Sequence, residues 1–272
     1  MTVEPMRWLD ANRQPLFAVC QEQVGSHLVG VAEEELFSLT PAGQVETIPG
    51  IGSRIYTGTD ALVPGSYSVT VGAWGTTRAH VRELKGQVTR AAILTRWVQK
   101  GNAELPIARW SSIKPVHYAA VSEGARVTAV FEPALAYWLL PEVTGALVAG
   151  NNAVNVLGEG PVTPRLTLTA AQAVVNPSVT TDAGVSTWHG TLQAGQTLVI
   201  DATPGVWSVT RGGVDVRTAL TGPQPSLKPG MRTVTLSAGL SGTLSFRPAV
   251  LEPDGVLPDV EADGVYWEGV GW

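Results

Sequence analysis

Between residues 174 and 251, apolar and polar residues alternate in short runs that turn signals separate. Residues 197–201 read Thr-Leu-Val-Ile-Asp, residues 233–236 read Thr-Val-Thr-Leu, and residues 243–247 read Thr-Leu-Ser-Phe-Arg. Because successive side chains of a β-strand point to opposite faces, this period of two predicts antiparallel strands that are buried on one face only. The residues expected to face the core are Leu198, Ile200, Val234, Leu236, Leu244 and Phe246.

Length and composition indicate a mainly β protein of two domains. A chain of 272 residues exceeds the roughly 100 to 150 residues of a common domain. Its 30 Gly and 19 Pro, with frequent Val and Thr, favour short strands and turns over long helices. We expect a first domain over residues 1–140 and a separate tail over residues 252–272. Between them, residues 144–251 are expected to form a β-sandwich of eight or nine short strands.

The first domain is predicted to be α+β, with one helix packed on a sheet. Ile93 and Trp97 have the i, i+4 spacing of a helix, and so do Leu94 and Val98. Gly101 is a typical residue after a helix end, so we place the helix over residues 90–100. Strands are expected at residues 15–20, 27–31, 36–39, 67–71, 81–90, 103–110, 116–121 and 125–131, with turns at 41–43, 49–50 and 64–65.

Several short motifs occur in a fixed order between residues 126 and 251. They are Arg-Val-Thr-Ala-Val-Phe-Glu-Pro at 126–133 with Tyr137-Trp138, Leu-Gly-Glu-Gly-Pro-Val-Thr-Pro at 157–164, Asn176-Pro177, Ala194-Gly195-Gln196 before a strand that ends at Asp201, Leu-Lys-Pro-Gly at 227–230, and Gly-Thr-Leu-Ser-Phe-Arg at 242–247. In this order they resemble the distal tail proteins of long-tailed bacteriophages. The resemblance does not extend to the first 125 residues or to the last twenty or so.

This resemblance implies a structural protein of the virion. The second domain would have a galectin-like jelly-roll topology, and the first would form a ring around the lumen of the tail. The chain would be a homohexamer, a hub that joins the tail tube to the tail tip or baseplate. The partners it implies are further copies of this chain, the tail tube protein and the tail hub and tip proteins. It also implies a location at the tail tip of the virion, after assembly in the host cytoplasm.

Residues 252–272 differ in composition from the rest of the chain. They contain six carboxylates and no Lys or Arg, followed by Tyr266, Trp267 and Trp272. Like charges and few apolar residues favour a solvated, mobile terminus. Aromatic anchors, in contrast, are typical of a peptide that docks on a neighbouring subunit. Both interpretations stay open from the sequence.

Charge, cysteine content and hydropathy exclude other classes. A net charge of −5 without a cluster of Lys and Arg argues against nucleic-acid recognition. The single Cys20 cannot form an internal disulfide and is expected to be a small buried residue of the strand at 15–20. No basic region followed by an apolar stretch opens the chain, so no secretory signal is expected. The most apolar segment, residues 134–150, is interrupted and too short to span a membrane, for which about 20 residues are needed.

No motif for catalysis or ligand binding is present in the sequence. A Gly-x-Ser-x-Gly nucleophile turn is absent, and the histidines are scattered singly, at His27, His80, His117 and His189. Glu33 to Glu35 would alternate between faces, as on a solvated loop or strand edge. The glycine-rich residues 72–75 and 158–160 are expected to be turns, since no phosphate-binding Lys-Ser/Thr follows them. We therefore expect no enzyme, and no catalytic residues, cofactor-binding residues or metal ligands.

Two alternatives come from other functional classes. Trp188, His189 and Gly190 could hold a sugar if the second domain were a carbohydrate-binding module for the host surface, although a core position is favoured for Trp188. A glycan-cleaving tail enzyme is a weaker third possibility.

Overall fold

The computed structural model describes residues 6–19, 23–24, 27–35, 39–47, 54–75, 77–117 and 124–252. The chain divides into two compact units, Met1–Trp138 and Leu139–Trp272. Strands dominate both units, and the described residues contain one α-helix, which lies in the first unit. The predicted fold class, mainly β with α+β character in the first domain, is confirmed.

The first unit is built on one antiparallel sheet. Its elements are β1 Met6–Leu9, β2 Pro15–Val19, β3 Gln23–Val24, β4 His27–Glu35, β5 Leu39–Thr47, β6 Arg54–Pro64, β7 Tyr67–Trp74, α1 Arg78–Leu94, β8 Trp97–Lys100, β9 Ala103–His117 and β10 Gly124–Pro133; β11, Trp138–Leu139, lies where the two units meet in sequence. The sheet order is β2-β1-β8-β9-β10-β7-β4-β3, while β5 and β6 pair only with each other among the described strands.

The centre of this sheet follows the period of two that strands require. On β7, Val69 and Val71 are fully buried, and Ala129 and Val127 of β10 lie opposite them. On the other face, Thr70 lies opposite Thr128, and the two hydroxyl oxygens are 3.0 Å apart. The buried face thus forms the core of the first unit, and the hydroxyl pair lies on the opposite face.

An aromatic cluster closes this core. Phe131 lies edge-on to Trp8 with the ring centroids 5.6 Å apart, and Tyr67 lies edge-on to Trp138 at 5.9 Å. All four rings are fully buried. Edge-to-face pairs of this kind contribute about 0.5 to 1.5 kcal/mol each beyond the area they bury.

The predicted helix position is wrong, because α1 spans Arg78–Leu94 rather than residues 90–100. Residues 81–90, expected as a strand, form the middle of that helix. Val81, Val88 and Ala92 lie at i, i+7 and i+11, which places them on one helical face, and all three are buried. Thr77 caps the helix, since its side chain accepts a hydrogen bond from the backbone of His80.

Residues 97–100, which were expected to form the end of the helix, form a strand instead. Thr95 is extended, and β8 begins at Trp97 and pairs with β1 and β9. Gly101, expected to end a helix, is the first of two turn residues of the β8–β9 hairpin and has φ of +58°. A two-residue Gly-Asn loop between strands favours such a hairpin.

Other boundaries in the first unit also differ from expectation. Strands expected at residues 103–110 and 116–121 are one continuous strand as far as His117, and the expected turn at 41–43 is a register shift within β5. Gly72 to Trp74 belong to β7 rather than to a turn. The turn at residues 65–66 agrees with the prediction at 64–65. Cys20 and residues 36–38, 49–50 and 118–121 lie outside the described residues.

The second unit is a sandwich of two antiparallel sheets. After β11, its strands are β12 Val143–Leu147, β13 Gly150–Val156, β14 Arg165–Ala170, β15 Val174–Val175, β16 Ser178–Thr181, β17 Gly184–Trp188, β18 Thr191–Leu192, β19 Thr197–Asp201, β20 Ser208–Arg211, β21 Val214–Asp215, β22 Leu220–Thr221, β23 Gly230–Leu236, β24 Leu240–Phe246 and β25 Ala249–Val250, with a short 3-10 helix at Arg217–Ala219. The sheet orders are β12-β24-β14-β19-β20-β21 and β13-β23-β16-β17-β22.

The residues predicted to face the core do so. Leu198, Ile200, Val234, Leu236, Leu244 and Phe246 are all buried, each exposed by no more than 3%. Their neighbours along the strands are half-buried or exposed. The expected count of eight or nine strands is too low, because two-residue strands such as β15 and β18 are too short to show a period of two.

Two charged side chains hold the ends of this unit by hydrogen bonds to the backbone. The guanidinium of Arg247 donates to the carbonyl oxygens of Leu139 and Leu140, at 2.7 Å each. The carboxylate of Glu159 accepts a hydrogen bond from the backbone N–H of Leu251 at 2.7 Å. The chain is therefore held at Leu251, immediately before the acidic tail.

The side-chain amide of Asn152 is fully hydrogen-bonded and stabilises the turn at Val148, where the chain passes from one sheet to the other. The Asn152 side chain accepts from the Val148 N–H at 2.8 Å and donates to the carbonyls of Val148, Gly150 and Val234 at 2.8 to 3.2 Å. Asn152 is only 8% exposed. These hydrogen bonds join the β12–β13 turn to β23 across 82 residues of sequence.

We expect Asn152→Ala to lower the free energy of unfolding by about 1 to 3 kcal/mol, because it leaves several buried backbone groups without partners. Asn155, exposed on the same strand, gives the matched control, since Asn155→Ala should change stability by no more than about 0.5 kcal/mol. Urea unfolding of the two variants measures the difference. Equal stability losses would show that the Asn152 network is not stabilising.

Candidate assembly surfaces

A two-stranded ribbon extends from the sheet of the first unit. Strands β5 and β6 pair from Leu39 opposite Pro64 to Thr47 opposite Arg54, with one register shift after Pro41. At about 3.3 Å per residue, nine residues of β5 extend for about 30 Å. Both outer edges lack a strand partner among the described residues. The ribbon thus presents two rows of backbone donors and acceptors for pairing.

An ion pair joins β9 and β10, and the residue after its arginine is an exposed tryptophan. Arg109 and Glu132 form two hydrogen bonds, Nε to Oε2 at 2.5 Å and Nη2 to Oε1 at 3.0 Å. The hydrogen bond and the negative charge of Glu132 raise the pKa of Arg109, so the guanidinium stays charged. The adjacent Trp110 is 42% exposed. A large exposed aromatic ring is of the residue type that often anchors an interface.

Two other tryptophans of the first unit, Trp97 and Trp138, have local roles. Trp138 is fully buried in the aromatic core. The Arg13 guanidinium lies 4.5 Å from the centroid of the half-buried Trp97 ring and also pairs with Glu104 at 3.2 Å. Trp110 alone of the three is classed among the exposed large apolar side chains.

The outer faces of the sandwich carry mainly hydroxyl groups. On the six-stranded sheet, Thr144 lies 2.9 Å from Ser245 across β12 and β24, and Thr169 lies 3.4 Å from Thr197 across β14 and β19. Further threonines and serines follow at the outward positions Thr167, Thr210, Ser241 and Thr243. The outer face of the six-stranded sheet is therefore mainly polar, with one ion pair between Arg165 and Asp201, and it suits contact with water.

Trp188 lies inside the sandwich rather than on a binding surface. It is 4% exposed, and the Arg211 guanidinium lies 5.4 Å from its ring centroid. The ring rests against Gly190, where a Cβ atom would overlap the indole. His189 is exposed, with its Nε2 2.9 Å from the Thr221 hydroxyl. The three residues therefore lie close together, but the tryptophan face is covered.

Several of the described carboxylates have structural partners. Asp182 accepts from the Lys228 backbone in the predicted turn at 227–230, and Asp201 accepts from the backbone and hydroxyl of Thr203. Asp10 and Asp215 accept from backbone N–H groups two residues further on. Within the described ranges, no three His, Cys, Asp or Glu side chains are grouped as a metal site requires. No helix in the described part of the chain has the length and apolarity to cross a membrane.

The ribbon was not recognised from the sequence. Strand β6 contains Ile55, Thr57 and Leu62 in a stretch rich in strand-forming residues, and this composition could have indicated the ribbon. The Glu33 to Glu35 cluster lies at the end of β4, where β7 is its partner on one side. The expectation of a strand edge is consistent with this pairing.

Among solved structures, the chain is similar to the SPP1 Dit protein (gp 19.1), described as a paradigm of the hub adsorption apparatus in phages that infect Gram-positive bacteria. The TM-score is 0.64 at 13% identity, over 90% of this chain and 98% of that chain. The predicted resemblance to distal tail proteins is thus confirmed for the fold.

A second solved structure shows a weaker likeness. The baseplate of phage p2, in its activated conformation with Ca, contains a chain with a TM-score of 0.50 and 9% identity, over 91% of this chain and 98% of that chain. No protein-family model and no curated protein matches the sequence. The relation is therefore seen in the fold rather than in the sequence as a whole.

We expect Gly190→Ala to destabilise the protein by about 1 to 3 kcal/mol, because the new methyl group displaces the Trp188 ring. Gly86 gives a control in which the same substitution should change the stability in the opposite direction. It lies exposed in α1 with open space around it, so Gly86→Ala should stabilise by about 0.5 to 1 kcal/mol. Thermal unfolding with near-ultraviolet circular dichroism tests both. A neutral Gly190→Ala with an unchanged tryptophan signal would contradict the packing described.

Proposed function

We propose that this chain is a structural hub protein of a phage tail. In this proposal, six copies form a ring that joins the tail tube to the tail tip or baseplate, without enzymatic activity. Residues 1–140 form the ring, and residues 144–251 extend from it. The location is the tail tip of the virion, reached by assembly in the host cytoplasm.

The observation that supports this most strongly is the shared fold. The likeness to the SPP1 hub protein covers 98% of that chain and 90% of this one. Both the sheet domain and the sandwich therefore contribute to the match. A match that extends over two successive domains in the same order is more specific than a likeness of one common sandwich.

The ribbon of β5 and β6 supports self-association independently. A two-stranded hairpin is marginally stable in water, and a third strand or a packed surface is usually needed. An exposed strand edge also risks open-ended aggregation. A head-to-tail contact that closes into a ring satisfies the edge and stops growth at a defined number of copies. We infer that the ribbon pairs with a neighbouring copy in the ring.

The carbohydrate-binding alternative receives no comparable support from the described residues. A sugar that stacks on an indole needs an exposed ring face, whereas Trp188 is 4% exposed and lies against Gly190.

We expect a variant in which Thr40 to Val63 are replaced by Asn-Gly to fold but lose the ring. Leu39 and Pro64 are directly opposite each other, so a two-residue turn can join them. Light scattering and negative-stain microscopy should show rings of six copies for the intact chain and monomers for the variant. The matched control replaces only residues 48–53, beyond the last strand pair, and should retain the ring. A monomeric intact chain, or a ring in the ribbon-deleted variant, would contradict the proposal.

A further inference from the structure

The solvent side of α1 is basic over most of its length. Arg78, Arg82 and Arg90 are exposed, and Glu83 is the sole carboxylate within the helix. None of these three arginines has a hydrogen bond or ion pair with another described residue. In a chain whose net charge is −5, this helix is a local concentration of positive charge that favours an acidic partner.

The same side of the helix becomes apolar at its C-terminal end. Ile93 is 41% exposed and Leu94 is 46% exposed. Gly86 lies on the solvent side between Arg82 and Arg90, with nothing within 4 Å of a Cβ built on it. From the N-terminus to the C-terminus of α1, the face therefore offers three arginines and then an apolar contact.

The segment at residues 253–272 has the complementary order. Its carboxylates come first, at Asp254, Asp259, Glu261 and Asp263, and its aromatic residues Tyr266, Trp267 and Trp272 follow, with Glu268 between them. It contains no Lys or Arg. An acidic stretch followed by large rings matches a basic stretch followed by Ile93 and Leu94, and Trp and Tyr are the residues that most often anchor docked peptides.

The spacings also agree. From Arg82 to Ile93 the helix rises by about 17 Å, at about 1.5 Å per residue. From Glu261 to Trp267 an extended chain covers about 20 Å, at about 3.3 Å per residue. An extended segment can therefore bring a carboxylate to the arginines while a tryptophan lies on the apolar end.

We propose that residues 253–272 bind in an extended conformation along the solvent side of α1, with the carboxylates on Arg82 and Arg90 and the aromatic rings on Ile93 and Leu94. The docked segment belongs to a neighbouring copy of this chain. The docking does not depend on the hub role, so it can fail while that role stands.

Chymotrypsin cleavage after Tyr266 and Trp267 tests the proposal on the full chain. At low salt, we expect cleavage to be about tenfold slower than in a synthetic peptide of residues 252–272, as for a segment that is docked about 90% of the time. Arg82→Glu with Arg90→Glu should bring the rate close to that of the peptide. The control, Arg7→Glu with Lys114→Glu, makes the same charge change at other exposed positions and should leave the protection intact.

Specific results would contradict the proposal. Cleavage of the native chain at the peptide's rate would overturn the docking, and full protection in Arg82→Glu with Arg90→Glu would overturn α1 as its site. A photoreactive residue in place of Gly86 gives a second measurement that needs no charge reversal. It should cross-link to residues 253–272, whereas the same group in place of Lys114 should not. Cross-links from position 86 only to other segments would contradict the proposal.

Discussion

The backbone of a β-strand carries a row of N–H and C=O groups on each edge, and every row must meet another strand, water or another molecule. In the interior of both units this requirement is satisfied by antiparallel pairing, as between β7 and β10 or between β14 and β24. The ribbon of β5 and β6 has no further strand partner among the described residues. The proposed self-association follows from that edge, and the particle proposed for it follows from the similarity in fold to a phage hub protein.

Most of the sandwich could be predicted because its strands obey one simple rule. Leu198 and Ile200 alternate with residues of the outer face, and so do Leu244 and Phe246, since a two-sheet sandwich buries one side of each strand. The turn at 227–230 was equally visible, because Pro and Gly occupy it. Motif order then indicated the fold that the structural likeness confirms.

The first unit was harder to predict for physical reasons. In α1 the buried residues are Val81, Val88, Ala91 and Ala92. Mainly charged and polar residues lie between Val81 and Val88, so the apolar period is weak. The stronger i, i+4 pair of Ile93 and Trp97 arises by chance across a helix end and the strand that follows it. Exposure could not be predicted for a related reason. The exposure of Trp110 and the burial of Trp188 depend on tertiary packing, which no local pattern encodes.

Amide hydrogen exchange along the ribbon tests the central claim most directly. In the assembled protein, outward amides of β5 or β6 should exchange much more slowly than in the protein diluted until it dissociates, because a strand of a neighbouring copy accepts their hydrogen bonds. Amides of the β7–β10 pair, which are bonded within the chain, should be protected at both concentrations. Outward ribbon amides that exchange equally fast in the concentrated and the diluted protein would contradict the account.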